Sequence, residues 1–400
     1  MVFGLRRFFE SSCVFMALAP LLCSNQAQDS AGAQFSTKVI SVGGDPDAIA
    51  VADVNHDGVA DILLTNPESG TVTVLLGDGK GRFKKAPGSP FPAGHLPSDI
   101  GIGDFDADGN SDLLISNHQA PYVTLLLGDG RGGFRPAPHS PFTVDAKPHP
   151  HGVAVGHFCG PNEPLDAVID SWGSGEVELL LGDGKGNLRN GPKFPAGPGS
   201  DFPLRAADFN QDGRLDIVMP DTDIGHWNAD TVSVLLGDGR CGFHSAPGSP
   251  FAGGAVPWSI AIGDIDGDGL PDIVLTPYGA QVRDRQKIAA TVLLADGRGG
   301  FRPMPGSPFP LPGCANPRRV AAGGGGFHDF AVTCMNSSTV LLFLGEKGGG
   351  LHLSSLVVPA GVQGVAVERG ILLADLLGRG RDDIVVSNGS VGTITILISK

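Results

Sequence analysis

The stretch Leu75-Leu76-Gly77-Asp78-Gly79-Lys80-Gly81-Arg82-Phe83 decides how this chain is read. Two apolar residues run into Gly-Asp-Gly, and Phe83 resumes the apolar pattern. Glycine takes positive φ at no steric cost and Asp bonds its own turn backbone, so the line reads as strand, tight turn, next strand. The line returns at Leu126 to Phe134, Leu180 to Leu188, Leu235 to Phe243 and Leu293 to Phe301, with a worn copy at Phe343 to Leu351. Successive copies lie 51, 54, 55, 58 and 50 residues apart, a period that marks a repeat architecture.

Twenty-two residues before the first copy lies a second recurring element, Asp53-Val54-Asn55-His56-Asp57-Gly58-Val59-Ala60-Asp61. It repeats at Asp104 to Asp112, Asp208 to Asp216 and Asp264 to Asp272. Apolar segments flank it, Ala48 to Ala52 before and Ile62 to Thr65 after. One unit is therefore strand A, acidic loop, strand B, short loop, strand C, Gly-rich turn, strand D. Four antiparallel strands in about 50 residues make a propeller blade. Seven units are countable, the sixth without its acidic loop. The last segment, Ile394 to Lys400, aligns with strand C of unit seven, which leaves that unit without a strand D. Phe35-Ser36-Thr37-Lys38-Val39-Ile40 reads as a strand D with no unit of its own. The expected fold is all-β: a seven-bladed β-propeller of four-stranded antiparallel blades over residues 35–400. The N-terminal strand completes the last blade, closes the ring and removes an exposed edge.

The acidic loops follow D-x-[DN]-x-D-G-x-x-D. Oxygens at positions 1, 3 and 5 converge, Gly at position 6 permits the sharp turn, position 7 offers its carbonyl and Asp at position 9 closes the site. An all-oxygen set with several carboxylates favours Ca²⁺. Four calcium ions are expected. The ligand sets are Asp53, Asn55, Asp57, Val59 and Asp61; Asp104, Asp106, Asp108, Asn110 and Asp112; Asp208, Asn210, Asp212, Arg214 and Asp216; and Asp264, Asp266, Asp268, Leu270 and Asp272. Val59, Asn110, Arg214 and Leu270 act through carbonyls in this reading. A lone loop of this kind is equally an Asp/Gly surface turn, but four in register are not. Unit seven keeps Asp375, Gly380 and Asp383 but has Leu377 and Arg379 at ligand positions, so Arg379 is expected to replace the cation. Unit three, with His157 and Cys159 and a longer loop ending at Asp166, is expected to hold none.

With these four loops and the repeated Gly-rich turn, the chain resembles the FG-GAP or VCBS repeat family, to which the integrin α-subunit propellers belong. The resemblance spans roughly residues 35–400. It implies structural calcium on one face and ligand binding on the other. The Phe-Gly and Gly-Ala-Pro signatures are blurred, with Lys85-Ala86-Pro87 and Ser245-Ala246-Pro247 as partial echoes. The recurrent Pro-Gly-Ser-Pro-Phe (Pro87 to Phe91, Pro247 to Phe251, Pro305 to Phe309) is more similar to secreted bacterial versions.

In this topology the acidic A–B loops and the C–D turns share one face, and the D–A connections and B–C loops share the other. The first is uniform from unit to unit and the second varies. Strand A is entered through a proline in six units. The residue after it is expected to face the central opening, giving Asp47, Ser98, His151, Leu204, Trp258 and Arg318, with Gln363 in unit seven. All three Trp and both Tyr fall on the variable face: Trp172, Trp227 and Tyr278 in B–C loops, Tyr122 at the end of one, Trp258 in a D–A entry. Aromatic rings beside Asp, His and Arg suit sugar or peptide recognition. The plainer reading has them packing between blades. The longest B–C loops, Pro220 to Asp230 and Thr276 to Ala289, rise above this face. Asp47, Ser98, His151, Trp172, Trp227, Trp258, Tyr278 and Arg318 are the candidate ligand-binding residues. His149 and His151, with His118 nearby, form a candidate metal-ligating group, although histidines in such places are more often hydrogen-bonded or exposed.

Composition bounds the rest. Sixty-one Gly and 32 Pro among 400 residues exclude a mostly helical protein. With 41% hydrophobic and 18% charged residues the chain can build a core. A net charge of −14 without any basic run argues against nucleic acid as a partner. Arg6 and Arg7 followed by an apolar run from Cys13 to Cys23, with Asn25-Gln26-Ala27 at a plausible cleavage point, read as a signal peptide over 1–27, then a short linker over 28–34. The run is too short to span a bilayer and no later segment does so. Leu22 argues against lipidation at Cys23. A secreted, periplasmic or cell-surface location is expected. Cleavage leaves Cys159, Cys241, Cys314 and Cys334, an even number that permits disulfides in an oxidising compartment. Cys314 and Cys334 belong to the variable face of unit six. Cys159 and Cys241 belong to the acidic face of adjacent units.

The function expected from sequence is an exported, calcium-binding, monomeric binding or adhesion module for a glycan or an extracellular protein. The alternative is a polysaccharide lyase or hydrolase using Asp47, His151 and Arg318 around the central opening. A third reading is a purely structural module. No G-x-S-x-G, H-E-x-x-H or P-loop occurs.

Overall fold

The structure, a computed structural model, describes residues 26–28, 34–147, 149–197, 203–222, 226–323, 328–335, 339–346, 350–357 and 368–400. Most of the expected signal peptide and part of the linker, together with Gln363, lie outside the described residues. Gln26–Gln28 forms a short strand against Gln34–Ser41.

Seven antiparallel sheets form the molecule, six of them with strands A to D in chain order. Blade one is Ile49–Ala52, Asp61–Asn66, Thr71–Gly77 and Phe83–Lys85. Blade seven takes strands A to C from Glu368–Ala374, Asp383–Asn388 and Thr393–Ser399, and its strand D is Gln34–Ser41, paired from Phe35↔Ser399 to Ser41↔Thr393. The N-terminal strand thus closes the ring as expected. Strand A of every blade packs against strand A of both neighbours, so the seven innermost strands surround one axis.

Strands B and C are buried on both faces. Asp61–Asn66, Asp112–Asn117 and Asp272–Pro277 are buried at every position. Sheets stacked around a ring cover each other, so these strands read as apolar runs without alternation. The cores lie between adjacent blades: Leu63, Val72 and Val74 of blade one meet Leu113, Ile115 and Leu126 of blade two. Strand A is half-buried along its whole length in blades one and four, where one side faces the axis.

The Pro-Gly-Ser-Pro-Phe motif has a structural task. It splits strand D into two short pieces, Phe83–Lys85 and Phe91–Pro92 in blade one, both paired with strand C. The Ser89 hydroxyl sits between them and accepts the Val74 backbone N–H at 2.9 Å. Ser140, Ser249 and Ser307 accept Leu125, Val234 and Val292 in the same way, at 2.9 to 3.0 Å. Blade three lacks the motif and has a single long strand D, Leu188–Pro195, with an irregularity in its pairing.

Both cysteine pairs are bridged. Cys159–Cys241 ties the A–B loop of blade three to the C–D turn of blade four, and Cys314–Cys334 ties the D–A connection to strand B in blade six. No helix among the described residues is long and apolar enough to cross a membrane.

Candidate functional site

The acidic face is built from a repeated clamp. In each of the four full loops the position-9 Asp is fully buried and accepts two backbone N–H groups, one per oxygen. Asp61 takes Val54 at 3.0 Å from its own loop and Gly77 at 2.8 Å from the end of strand C. Position 1 organises the turn: Asp53 accepts Gly58 N–H at 2.8 Å and Asp57 N–H at 3.2 Å. The loops bring carboxylates together, at positions 1, 3 and 5 in blade two and at positions 1, 3 and 9 in blade five. Asp104, Asp106 and Asp108 place one oxygen each within 4.8 Å of one another, as do Asp264, Asp266 and Asp272. The Oδ1 atoms of Asp106 and Asp266 are buried and accept nothing. Where position 3 is Asn, its carboxamide N–H donates to position 5, Asn55 to Asp57 at 3.0 Å and Asn210 to Asp212 at 3.2 Å. Burial raises the pKa of Asp112, Asp216 and Asp272 to about 6, with the neighbouring loop carboxylates pushing the same way. Clustered carboxylates with orphaned, buried oxygens are a donor set that fits a hard divalent cation, although in blade four Asp212 also pairs with Arg214 at 3.3 Å.

The other units depart as their sequences imply. In blade seven the Arg379 guanidinium lies 2.7 Å from Asp383 and donates to the Ser399 carbonyl at 2.6 Å, filling the loop with a side-chain charge. In blade three Asp166 keeps the clamp, on Cys159 and Gly182 N–H at 3.2 and 3.1 Å. Blade six keeps one bond of it, Asp329 to Gly345 at 2.8 Å.

On the opposite face the expected ring around the opening does not form as drawn. A cavity of about 50 Å³ on the axis is lined by Ala48, Asp99, Arg205, Ser259 and Arg319. These stand one place after Asp47, Ser98, Leu204, Trp258 and Arg318. The register of strand A slips immediately after the proline, between Pro97 and Asp99, Pro257 and Ser259, and Pro317 and Val320. Such a bulge turns the second residue inward in place of the first. Leu204 is instead fully buried in the core between blades three and four. Ser98 donates to the His151 carbonyl at 2.8 Å. Asp47 is half-buried, with an Oδ1 that accepts nothing. Across the axis Arg205 pairs with Asp99 at 3.0 Å. Arg319 keeps part of its surface on the cavity, yet desolvation lowers its pKa to about 10, opposed by the charge of Asp47. The alternation rule applied to the sequence missed these axial residues, since nothing in the local composition announces the bulge.

The candidates displaced from the axis gather into two clusters. In the first, Trp258 stacks on Tyr278 with ring centroids 4.7 Å apart, Trp227 lies 5.5 Å from Tyr278, and the Arg318 guanidinium sits 5.4 and 5.6 Å from the Trp258 and Tyr278 rings. Beside it a groove of about 520 Å³ runs between the two long B–C loops, with Trp227, Asn228, Asp230, Gln281, Arg283 and Lys287 among its walls. The Trp258 Nε1–H is buried without an acceptor.

In the second cluster His118, from the B–C loop of blade two, meets His149 and His151 from the entry to blade three. His151 Nε2 lies 2.7 Å from His118 Nδ1, and the rings of His118 and His149 are stacked at 4.6 Å. Trp172 covers the group, 4.1 Å from His151 and 5.7 Å from His149. Asp170, fully buried, accepts the N–H of His151 at 2.7 Å and of Gly152 at 2.6 Å. Its burial raises its pKa to about 7. Desolvation lowers His118 to about 4 and moves His149 and His151 down as well.

Asp47, His151 and Arg318 therefore do not make a common set. His151 is engaged with His118 and Trp172, and Arg318 with the aromatic cluster.

Comparison with known proteins agrees with the repeat. A model of the FG-GAP-like repeat matches residues 53–115 and 167–219, and a model of the FG-GAP repeat matches 256–285. A search of curated proteins found no match. Among solved structures, the chain is similar to a catalytically inactive virginiamycin B lyase from Staphylococcus aureus with quinupristin, at 13% identity and a TM-score of 0.53, covering 91% of this chain and 99% of that one. It is also similar to BBS1N in complex with ARL6DN, at 11% identity and a TM-score of 0.58, covering 94% and 97%. A protein from Lactobacillus plantarum matches at 14% identity and a TM-score of 0.51, covering 86% and 89%. At these identities the likenesses speak for the fold alone. With seven four-stranded blades, the recurring acidic loop and these repeat matches, the chain is an FG-GAP repeat β-propeller.

Proposed function

We propose that this propeller is an exported, calcium-stabilised binding module and that the face away from the acidic loops takes a glycan. The observation that carries the reading is the groove beside Trp227, whose lining combines that ring with amides, carboxylates and bases. A sugar ring offers C–H faces for stacking and hydroxyls for such groups, and about 520 Å³ lies within the roughly 300–1,000 Å³ usual for small-ligand sites. Export is supported by the two disulfides, which persist in oxidising surroundings, and by the N-terminal sequence pattern.

The residues that would hold calcium are those of the four full loops. A bound Ca²⁺ supplies positive charge that neutralises the converging carboxylates. The position-9 aspartates carry that order to strand C through their backbone bonds.

A second reading, a protein ligand on the same face, is favoured by the similarity to a propeller solved in complex with a protein, BBS1N with ARL6DN. An enzyme working through the central opening is disfavoured. Its cavity of about 50 Å³ is far below the roughly 300 Å³ of the smallest usual ligand pockets, and Asp99 and Arg205 bridge it.

The test is a panel of glycans and polysaccharides with the calcium-loaded protein, reading both retention and released product. Retention without product is expected, with Trp227→Ala weakening it by on the order of 10-fold or more, about what one stacked ring contributes. Failure to retain any glycan would overturn the glycan reading, and product release would move the assignment to an enzyme.

A further inference from the structure

The histidine cluster is not absorbed by the groove or by the acidic loops. Three of the chain's 11 histidines converge there, from two separate segments. A nitrogen of each lies within 4.8 Å of those of the other two. The His118–His151 contact is an ordinary imidazole hydrogen bond and satisfies two of the three rings. It leaves His149, itself about nine-tenths buried, with an Nε2 that has no partner. An orphaned buried nitrogen, on a ring packed against two other imidazoles, is a costly arrangement unless something binds it.

The backbone around the rings is held rather than loose. Asp170 fixes His151 through its N–H, and Ser98 and Ser116 donate to its carbonyl. The Trp172 N–H donates to the His149 carbonyl at 3.2 Å, and the His118 N–H to that of Leu96 at 2.9 Å. These bonds fix the chain at all three ligands, the way outer groups hold a metal site.

We propose that His118, His149 and His151 ligate a divalent transition-metal ion of the Zn²⁺ class on the face away from the acidic loops. Imidazole nitrogens suit Zn²⁺ and its neighbours and not Ca²⁺, so the molecule sorts two metals by donor chemistry, oxygen on one face and nitrogen on the other. Zn–N bonds of about 2.0–2.1 Å put tetrahedral ligand atoms roughly 3.3 Å apart, so the His118–His151 pair, at 2.7 Å, opens a little and the three nitrogens, all within 4.8 Å, converge on the ion. Three protein ligands leave a fourth position for an exchangeable oxygen ligand. His118 is the half-exposed member, so that position opens on its side. The positive charges of Arg318 and Arg319 act on His151 and favour an anionic oxygen there, hydroxide or a carboxylate.

The experiment uses the tag-free full chain, stripped with chelator and then resaturated with Ca²⁺ so that the oxygen sites are filled. ZnCl₂ is added, and bound zinc is measured by equilibrium dialysis with elemental analysis. One Zn²⁺ per chain is expected. His118→Gln and His149→Gln should each weaken zinc binding by on the order of 100-fold while calcium content stays the same. Co²⁺ in place of Zn²⁺ should give the visible absorption of a tetrahedral nitrogen site. If His149→Gln does not fold, His118→Gln, at the more exposed position, carries the test. No stoichiometric zinc above the calcium-saturated background, or binding unchanged in His118→Gln, would overturn the proposal.

Discussion

At the scale of single residues, the position-9 aspartate is the part of the repeat that every described blade retains in some form. It persists in blade three, where the neighbouring loop has no calcium pattern, so its clamp is separable from metal binding. Asp166→Ala removes both acceptors and strands two backbone N–H groups. It should destabilise the protein by about 2–4 kcal/mol, and by the same amount with and without calcium, in denaturant unfolding. Asp170 carries a second residue-scale expectation. Its folded pKa, raised to about 7 from 3.8 by burial, means that the folded state holds a proton the unfolded state has lost between those values. The contribution of Asp170 to stability is therefore greatest below about pH 4, falls as pH rises to about 7, and is flat beyond. Asp170→Asn keeps an acceptor for His151 and Gly152. The difference in melting temperature between wild type and this variant should change across that window in this direction. A constant offset from pH 4 to pH 8 would exclude an ionisable Asp170 as its source.

At the scale of the element, the acidic loop and the Gly-rich turn act as one unit. Gly77 ends strand C where an added Cβ would collide with the Ala60 carbonyl, so loop and turn touch backbone to backbone. Gly79 takes φ +66 in the turn that the Asp78 carboxylate organises through Lys80 and Arg82 N–H. Each loop is thus wired to its own blade. Asp106→Asn should remove one calcium ion from the expected four and lower stability modestly, with the other three sites titrating as before. Calorimetry with Ca²⁺ reads the stoichiometry directly. Loss of all four sites together would mean that the loops are not independent.

For the whole molecule, closure of the ring joins residues more than 350 apart in sequence, Phe35 with Ser399. The Arg379 bridge in blade seven and the disulfides at blades three and six hold their sectors by different chemistry, and in the proposed reading calcium does so in blades one, two, four and five. Each occupied calcium site at 100 times its dissociation constant contributes about 2.7 kcal/mol to the folded state. Chelation should therefore lower the melting temperature by many degrees, and added Ca²⁺, not Mg²⁺, should restore it. A melting curve indifferent to chelator would refute structural calcium.

The blade count, the strand order, the closing strand and the four acidic loops were legible in the sequence. They repeat, and a fixed spacing of Asp and Gly dictates the same local turn wherever it occurs. The Arg379 substitution was legible for the same reason, since one altered letter stands out against a repeated frame. The identity of the axial residues was not. A bulge after the entry proline of blades two, five and six shifts the inward side by one, and bulges depend on pairing with strand B rather than on strand A itself. The sequence put His118 near His149 and His151 only by their shared face, without the ring-to-ring contacts, and it did not place Arg318 over Trp258 and Tyr278. Those contacts join loops from neighbouring blades, and only the packing of one sheet on the next brings them together.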